Sequence, residues 1–195
     1  ASFKDTIHNK PLENKIIQFF VNNNPEGFDT TTSDGIATLS YTINLDAGNY
    51  AIFVKFSGDD IYSASNGTNN LNVILVVTSV NPANGTTTNN ASQIITVTFN
   101  GLIESGSAYD TITVKNNQGI PQTINKNIVN NQLIITVSSS YADGIYTLYI
   151  PINSITDLAG NPLQNPLNST FTVDSTNPTI TNVNPANNTI TNNPS

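Results

Sequence analysis

The residues in this sequence that could do chemistry are few, and most of them are oxygen donors. Asp157 and Asn161 bracket the turn Asp157-Leu158-Ala159-Gly160-Asn161, and Asp174 and Asn177 bracket Asp174-Ser175-Thr176-Asn177. Calcium takes six to eight oxygens from carboxylates, amides and carbonyls, the donor types these four side chains offer. Two readings stand. Either Asp157, Asn161, Asp174 and Asn177 hold a linker calcium, or Asp157 caps its own turn through backbone N–H groups, as Asx residues do. Asp59-Asp60 is a further acidic pair in a solvated turn.

No catalytic residue is assigned. The only histidine, His8, sits beside Asn9 and Lys10 in a predicted turn. A Ser–His–acid site needs an orienting carboxylate and an activated nucleophile, and no G-x-S-x-G elbow is present. The thirteen acidic residues single out no pair for glycoside chemistry. Cysteine is absent, which removes disulfides and thiolate chemistry. No cofactor is expected other than the calcium just described.

Charge narrows the partners. The formal net charge is −7, and all six basic residues are lysines. Duplex binding calls for clustered Lys and Arg, so nucleic acid is not an expected partner. An anionic membrane surface is disfavoured on the same ground. No apolar run approaches the ~18 residues of a spanning helix, and Val73–Val77 is only strand-sized. Membrane insertion is therefore not expected of this segment. With no Met anywhere, the chain is expected to be processed or excised from something longer.

The elements that must position these groups are strands. Asn and Thr supply nearly a third of the residues; both disfavour helix interiors, and Asn favours turns. Period-2 alternation marks strands with one buried face. It predicts strands at Lys15–Val21, Gly35–Asn44, Gly48–Phe56 and Asn70–Val77, with a short one in Ala1–Ile7. Further on it predicts Gln93–Phe99, Thr111–Lys115, Gln132–Ser138, Gly144–Ile150 and Thr170–Val173. Tyr50 and Tyr146 each follow a turn, the setting in which a tyrosine tucks into a sandwich and bonds its hydroxyl to backbone.

The sequence also repeats itself. Thr78–Ser92 and Thr181–Ser195 are identical at eleven of fifteen positions, with Asn81 matching Asn184 at an offset of 103 residues. That period is too long for a solenoid and fits one β-sandwich per repeat. The predicted organisation is all-β, in three parts. A sandwich spans residues 1–76, a second spans 77–175, and residues 176–195 form a linker and the start of a truncated further repeat. The linker between the two sandwiches is placed at about Val76–Asn81.

These residues carry a resemblance. Val80-Asn81-Pro82-Ala83-Asn84-Gly85, Ile95–Phe99, Ala142-Asp143-Gly144-Ile145-Tyr146-Thr147-Leu148, Thr156-Asp157-Leu158-Ala159-Gly160-Asn161-Pro162-Leu163 and Phe171-Thr172-Val173 are similar to the bacterial Ig-like domain of S-layer proteins. Lys10-Pro11-Leu12, Asp34–Leu39, Ala47–Tyr50 and Phe56–Tyr62 resemble an Ig-like repeat of large microbial adhesins, with a first strand that looks short. The Asn-rich, Arg-free composition resembles adhesin-like proteins of methanogenic archaea. The resemblance implies tandem immunoglobulin-like β-sandwiches in a non-catalytic, extracellular stalk or adhesin at the cell surface. The partners it implies are a cell-surface protein or glycan and the adjacent Ig-like repeats of the same chain. The alternatives are an S-layer or filament subunit and an accessory carbohydrate-binding module. Sequons at Asn66, Asn84, Asn90, Asn168 and Asn187 fall at predicted turns or strand ends.

Overall fold

Fourteen strands and one short 3₁₀ turn make up the regular structure of the chain in a computed structural model that describes residues 1–184, 187, 189 and 190. The first unit holds β1 (Ile16–Val21), β2 (Asn24–Thr30), β3 (Gly48–Phe56) and β4 (Ser65–Val73), paired antiparallel in the order β2-β1-β3-β4. The second unit holds β5 (Val77–Asn81), β6 (Thr86–Thr88), β7 (Ile95–Phe99), β8 (Ile103–Ser105), β9 (Thr113–Asn116), β10 (Ile124–Val129), β11 (Gln132–Val137), β12 (Gly144–Ile150), β13 (Ile155–Asp157) and β14 (Leu167–Val173). Its two larger sheets run β10-β11-β7-β5 and β6-β14-β12-β9, with β13-β8 as a small third pair.

Alternation builds the second unit as expected. Ile95, Val97 and Phe99 on β7, Leu133 and Ile135 on β11, and Tyr146, Leu148 and Ile150 on β12 are all buried. They meet in one core of seventeen buried residues that both sheets share. Burying one face of each sheet against the other is the sandwich solution to two half-apolar surfaces. The fold is all-β and immunoglobulin-like.

The first unit is thinner. Its buried cluster is Ile17, Ala37 and Phe56, with Phe3, Phe19, Val54 and Tyr62 against it. The expected strand at Gly35–Asn44 does not form; only Ile36 bridges, to Ser2. Ala37, Leu39 and Tyr41 still turn inward on the predicted period. Among the described residues no strand pairs with this segment beyond that bridge, so it lies over the sheet as coil. An apolar cleft of about 290 Å³ remains between Leu39, Tyr41 and Ile43 and the sheet residues Phe19, Val21 and Ile52.

The expected strand at Asn70–Val77 is divided. Its first part belongs to β4 and its last residue opens β5, with Ile74–Val76 between them. β2 escaped the pattern because Pro25, Glu26 and Gly27 break alternation. It forms because Asn22 and Asn23 both take positive φ, 50° and 65°. That is the two-residue turn whose twist suits an antiparallel hairpin. Pro is tolerated there because β2 is an edge strand.

Candidate functional site

Between the two units, the connecting residues are built into the second unit. Leu75 is fully buried in the second unit's core, although it precedes the boundary predicted at residue 76. Asn100, in the turn after β7, grips both sides of it. Its Oδ1 accepts the Val76 N–H at 2.9 Å, and its Nδ2 donates to Ile74 O at 3.0 Å. Its backbone N–H donates to Val76 O at 3.1 Å, and its carbonyl accepts the Ala47 N–H of the first unit at 3.2 Å. A side-chain amide can serve as donor and acceptor at once, which suits Asn to bridging a strand interruption. The next residue must be small. A Cβ on Gly101 would lie 2.8 Å from Ala47 N.

Ala47 belongs to a tyrosine corner. Tyr50, two residues into β3, donates its hydroxyl to Asp46 O at 2.9 Å. Burial raises the Tyr50 pKa, with Asp46 and then Asp157 of the second unit adding to the shift. The second unit repeats the corner at its far end: Tyr146, two residues into β12, donates to Ala142 O at 2.9 Å. Both expected tyrosines thus bond backbone four residues upstream, the geometry that pins a strand's entry to the corner before it. The residue after each acceptor faces the way onward. In the first unit it is Ala47, against Asn100. In the second it is Asp143, whose Oδ1 accepts the Ser175 N–H at 2.7 Å and the Ser175 hydroxyl at 2.6 Å. Its Oδ2 accepts the Thr176 hydroxyl. The Ser175 and Thr176 side-chain bonds hold the Asp143 carboxyl at about 2, because hydrogen bonds to the charged form favour it.

The four side chains read as calcium donors are not brought together. Asp157 closes β13 and Asn161 lies in the loop after it, at the end of the second unit that faces the first. Asp174 and Asn177 follow the opposite end of β14, a seven-residue strand that spans ~20 Å. Asp157 is 1 % exposed, and its oxygens are occupied by its own turn. Oδ1 accepts the Ala159 and Asn161 N–H groups at 3.0 and 2.8 Å, and Oδ2 accepts the Asn161 side-chain amide at 2.8 Å. This is the capping arrangement, and its donors are N–H groups that a cation would have to displace. Among the described residues no three acidic or histidine side chains cluster as a metal set.

The model of the bacterial Ig-like domain matches residues 72–173, more than half of the chain. The chain belongs to the bacterial Ig-like domain family. No curated protein gives a match. Bacterial Ig-like domains of this family occur typically in surface and extracellular proteins. Among the described residues no helix is long and apolar enough to cross a membrane. The Ig-like match opens at residue 72, ahead of Leu75, so it takes in the residue that plugs the second core.

Other charged groups make local pairs. His8 Nδ1 lies 2.8 Å from Asp5 Oδ2 on an exposed turn, and that hydrogen bond lowers the Asp5 pKa. Lys15 Nζ bonds Asp59 Oδ2 at 2.5 Å and lies 5.0 Å from the Tyr62 ring centre. The Asp59 carboxyl, held down to about 2 by Lys15 and then by the Tyr62 and Ile61 N–H groups, serves the turn that follows β3. Lys55 and Lys115 point outward from their strands, as their alternation requires. Asn100, Asp143 and Leu75 were missed as functional residues. Asn100 stands alone in a turn, and only its position after an alternating strand hints at a role.

Proposed function

We propose that this chain is a non-catalytic segment of a cell-surface adhesin or stalk, in which tandem Ig-like units project an attachment surface from the cell. The observation that supports this is the junction: Leu75 seated in the second core, with Asn100 bonded to Ile74, Val76 and Ala47. Residues so engaged cannot serve as a loose tether, and a fixed angle between modules is what a projecting rod needs. The partner would be a surface protein or glycan, met by loops at a unit's tip or by an open sheet face.

The test couples shape to attachment. Small-angle scattering on dilute wild-type chain should fit one interunit arrangement, and Asn100→Ala should require a distribution of them. Beads carrying the chain should be retained on target cells or on a glycan array. A wild-type chain that already scatters as two freely jointed units would remove the stalk reading, and uniform failure of retention would remove the adhesive one. A structural filament or lattice subunit is the second reading, favoured by the outer edge of β4, which no strand among the described residues covers.

A further inference from the structure

Four N-x-Ser/Thr sequons lie wholly within the described residues, at Asn66, Asn84, Asn90 and Asn168; the fifth, at Asn187, runs outside them. A sequon is read as a unit, the acceptor carboxamide together with the hydroxyl two residues on, and it belongs to surface loops. The fold treats the four very differently.

At three of them the needed groups are committed. Asn84 Oδ1 accepts the Thr170 N–H at 2.8 Å and the Thr170 hydroxyl at 3.2 Å. Thr86, which completes that sequon, stands in β6 opposite Phe171 and donates its hydroxyl to Ala83 O at 2.7 Å. Asn168 lies in β14, paired with Tyr149 of β12. The middle residue of its sequon, Ser169, is buried, and the Thr170 hydroxyl is the one bonded to Asn84. Asn66, Gly67 and Thr68 fill three consecutive registers of β4, against Lys55, Val54 and Phe53. An extended backbone holds alternate side chains about 7 Å apart, and bending Asn66 toward Thr68 would break the ladder.

Asn90-Ala91-Ser92 is the exception. It sits in the turn between β6 and β7. Asn90 Oδ1 accepts the Ser92 N–H at 2.9 Å, an Asx turn that folds the carboxamide over the residue bearing the hydroxyl. The turn is held on several sides. Gln93 N–H donates to Asn90 O at 3.1 Å, Asn90 N–H donates to Thr88 Oγ1 at 3.1 Å, and Tyr141 N–H donates to Ala91 O at 2.7 Å. Yet Asn90 and Ser92 are both exposed. Among the described residues Asn90 Nδ2 and the Ser92 hydroxyl have no hydrogen-bond partner. Ser92 also lines a surface groove of about 440 Å³, with Thr136, Ser138 and Ser139 around Ile94 and Val137. Ile94 is 48 % exposed. Apolar and hydroxyl-bearing side chains in one concavity suit a sugar ring, which has C–H faces and a hydroxyl rim.

We propose that Asn90 is the residue at which the folded chain is N-glycosylated, by a transferase drawing on a lipid-phosphate-linked sugar, and that the first sugar seats in the Ile94 groove. Asn90 Nδ2 attacks the anomeric carbon. The new C–N bond replaces the bond from that carbon to the lipid phosphate, which leaves with the electron pair, and the amide gives one proton to the base of the transferase. β6 runs parallel to β14, with Thr88 opposite Val173. The glycan therefore stands at the end of the second unit where Asp143 holds Ser175, away from Asn100. The proposal needs only the surface or extracellular setting typical of the family, and failure of the stalk or attachment tests leaves it standing.

The test uses the folded full chain in an Asn187→Gln background. It is incubated with an oligosaccharyltransferase that requires only the N-x-Ser/Thr sequon and with its lipid-linked sugar donor. Synthetic peptides spanning each of the four sequons supply the reference rates, and digestion with mass spectrometry reads each site. Asn90 should be modified in the chain about as fast as in its peptide. Asn66, Asn84 and Asn168 should be more than about tenfold slower than theirs, because each must wait for local opening of a strand. Ser92→Ala should abolish modification at Asn90 and Ser92→Thr should keep it. In the modified chain the Ile94 methyl resonances should shift. The acceptor assignment is overturned if folded Asn90 is as retarded as the other three, if any of those keeps pace with its peptide, or if Ser92→Ala is without effect. Unmoved Ile94 methyls would overturn the seating in the groove.

Discussion

Tyr141 and Tyr146 pack ring to ring with centroids 4.5 Å apart, yet among the described residues only Tyr146 finds a partner for its hydroxyl. The buried Tyr141 hydroxyl has no hydrogen-bond partner among the described residues, and burial, then the neighbouring Tyr146, pushes its pKa up to about 12. Two similar rings in one cluster with Phe171 thus carry opposite polar balances.

Removing each hydroxyl should therefore have unequal effects on stability, a loss at Tyr146 and none at Tyr141. Tyr146→Phe loses one net hydrogen bond and leaves Ala142 O without that donor, costing about 1 kcal/mol. Tyr141→Phe removes an unpaired polar atom and should be neutral or stabilising by up to about 1 kcal/mol. Urea denaturation of both variants checks the contrast, and equal losses would refute it.

Asp143 should titrate far below an ordinary carboxyl. Its folded value of about 2 lies below the ordinary carboxyl value of 3.8, so its contribution to stability is fully present above that ordinary value. The contribution is lost as pH falls through about 2. Carboxyl ¹³C shifts followed by NMR should give that low midpoint. Asp143→Asn should release the Ser175 amide to rapid exchange at neutral pH.

The junction should loosen in two separable ways. Asn100→Ala removes two side-chain bonds to the connecting residues, at a cost of roughly 1–2 kcal/mol in the second unit. Faster exchange of the Val76 amide would report it. Gly101→Ala leaves those bonds but drives a methyl into Ala47, so it should shift the interunit angle with less change in melting. An Asn100→Ala chain with unaltered Val76 exchange would contradict the clamp.

Chelation and capping can be told apart at Asp157. EDTA at neutral pH should leave the melting curve unchanged, because three N–H groups already satisfy this carboxylate. Asp157→Ala should cost about 2–3 kcal/mol by stripping a buried charged acceptor from its turn. A clear fall in melting temperature with EDTA would restore a cation.

How much of this could be read beforehand depended on the kind of interaction. β3 and β12 were legible because Tyr50, Ile52, Val54 and Phe56, like Tyr146, Leu148 and Ile150, alternate without interruption. The tyrosine corners were legible because the turn and the ring are neighbours in sequence. β10 was not, because Lys126 takes an inward position of its alternation while backbone pairing to β11 carries it. Gly35–Asn44 misled because alternation reports which side chains turn inward and says nothing of whether a neighbouring strand exists. The Asp157 and Asp174 turns are close in sequence but lie at opposite ends of β14, a separation that only the sandwich's connectivity decides.

The burial of Leu75 bears on how such modules are copied and exchanged. A duplication or graft cut at the visible end of the second unit's first strand would leave that leucine behind and deliver a module with a hole in its interior. Inheritance of an intact cassette requires the upstream connector to travel with it, so descent should preserve the leucine and the strand after it as one block.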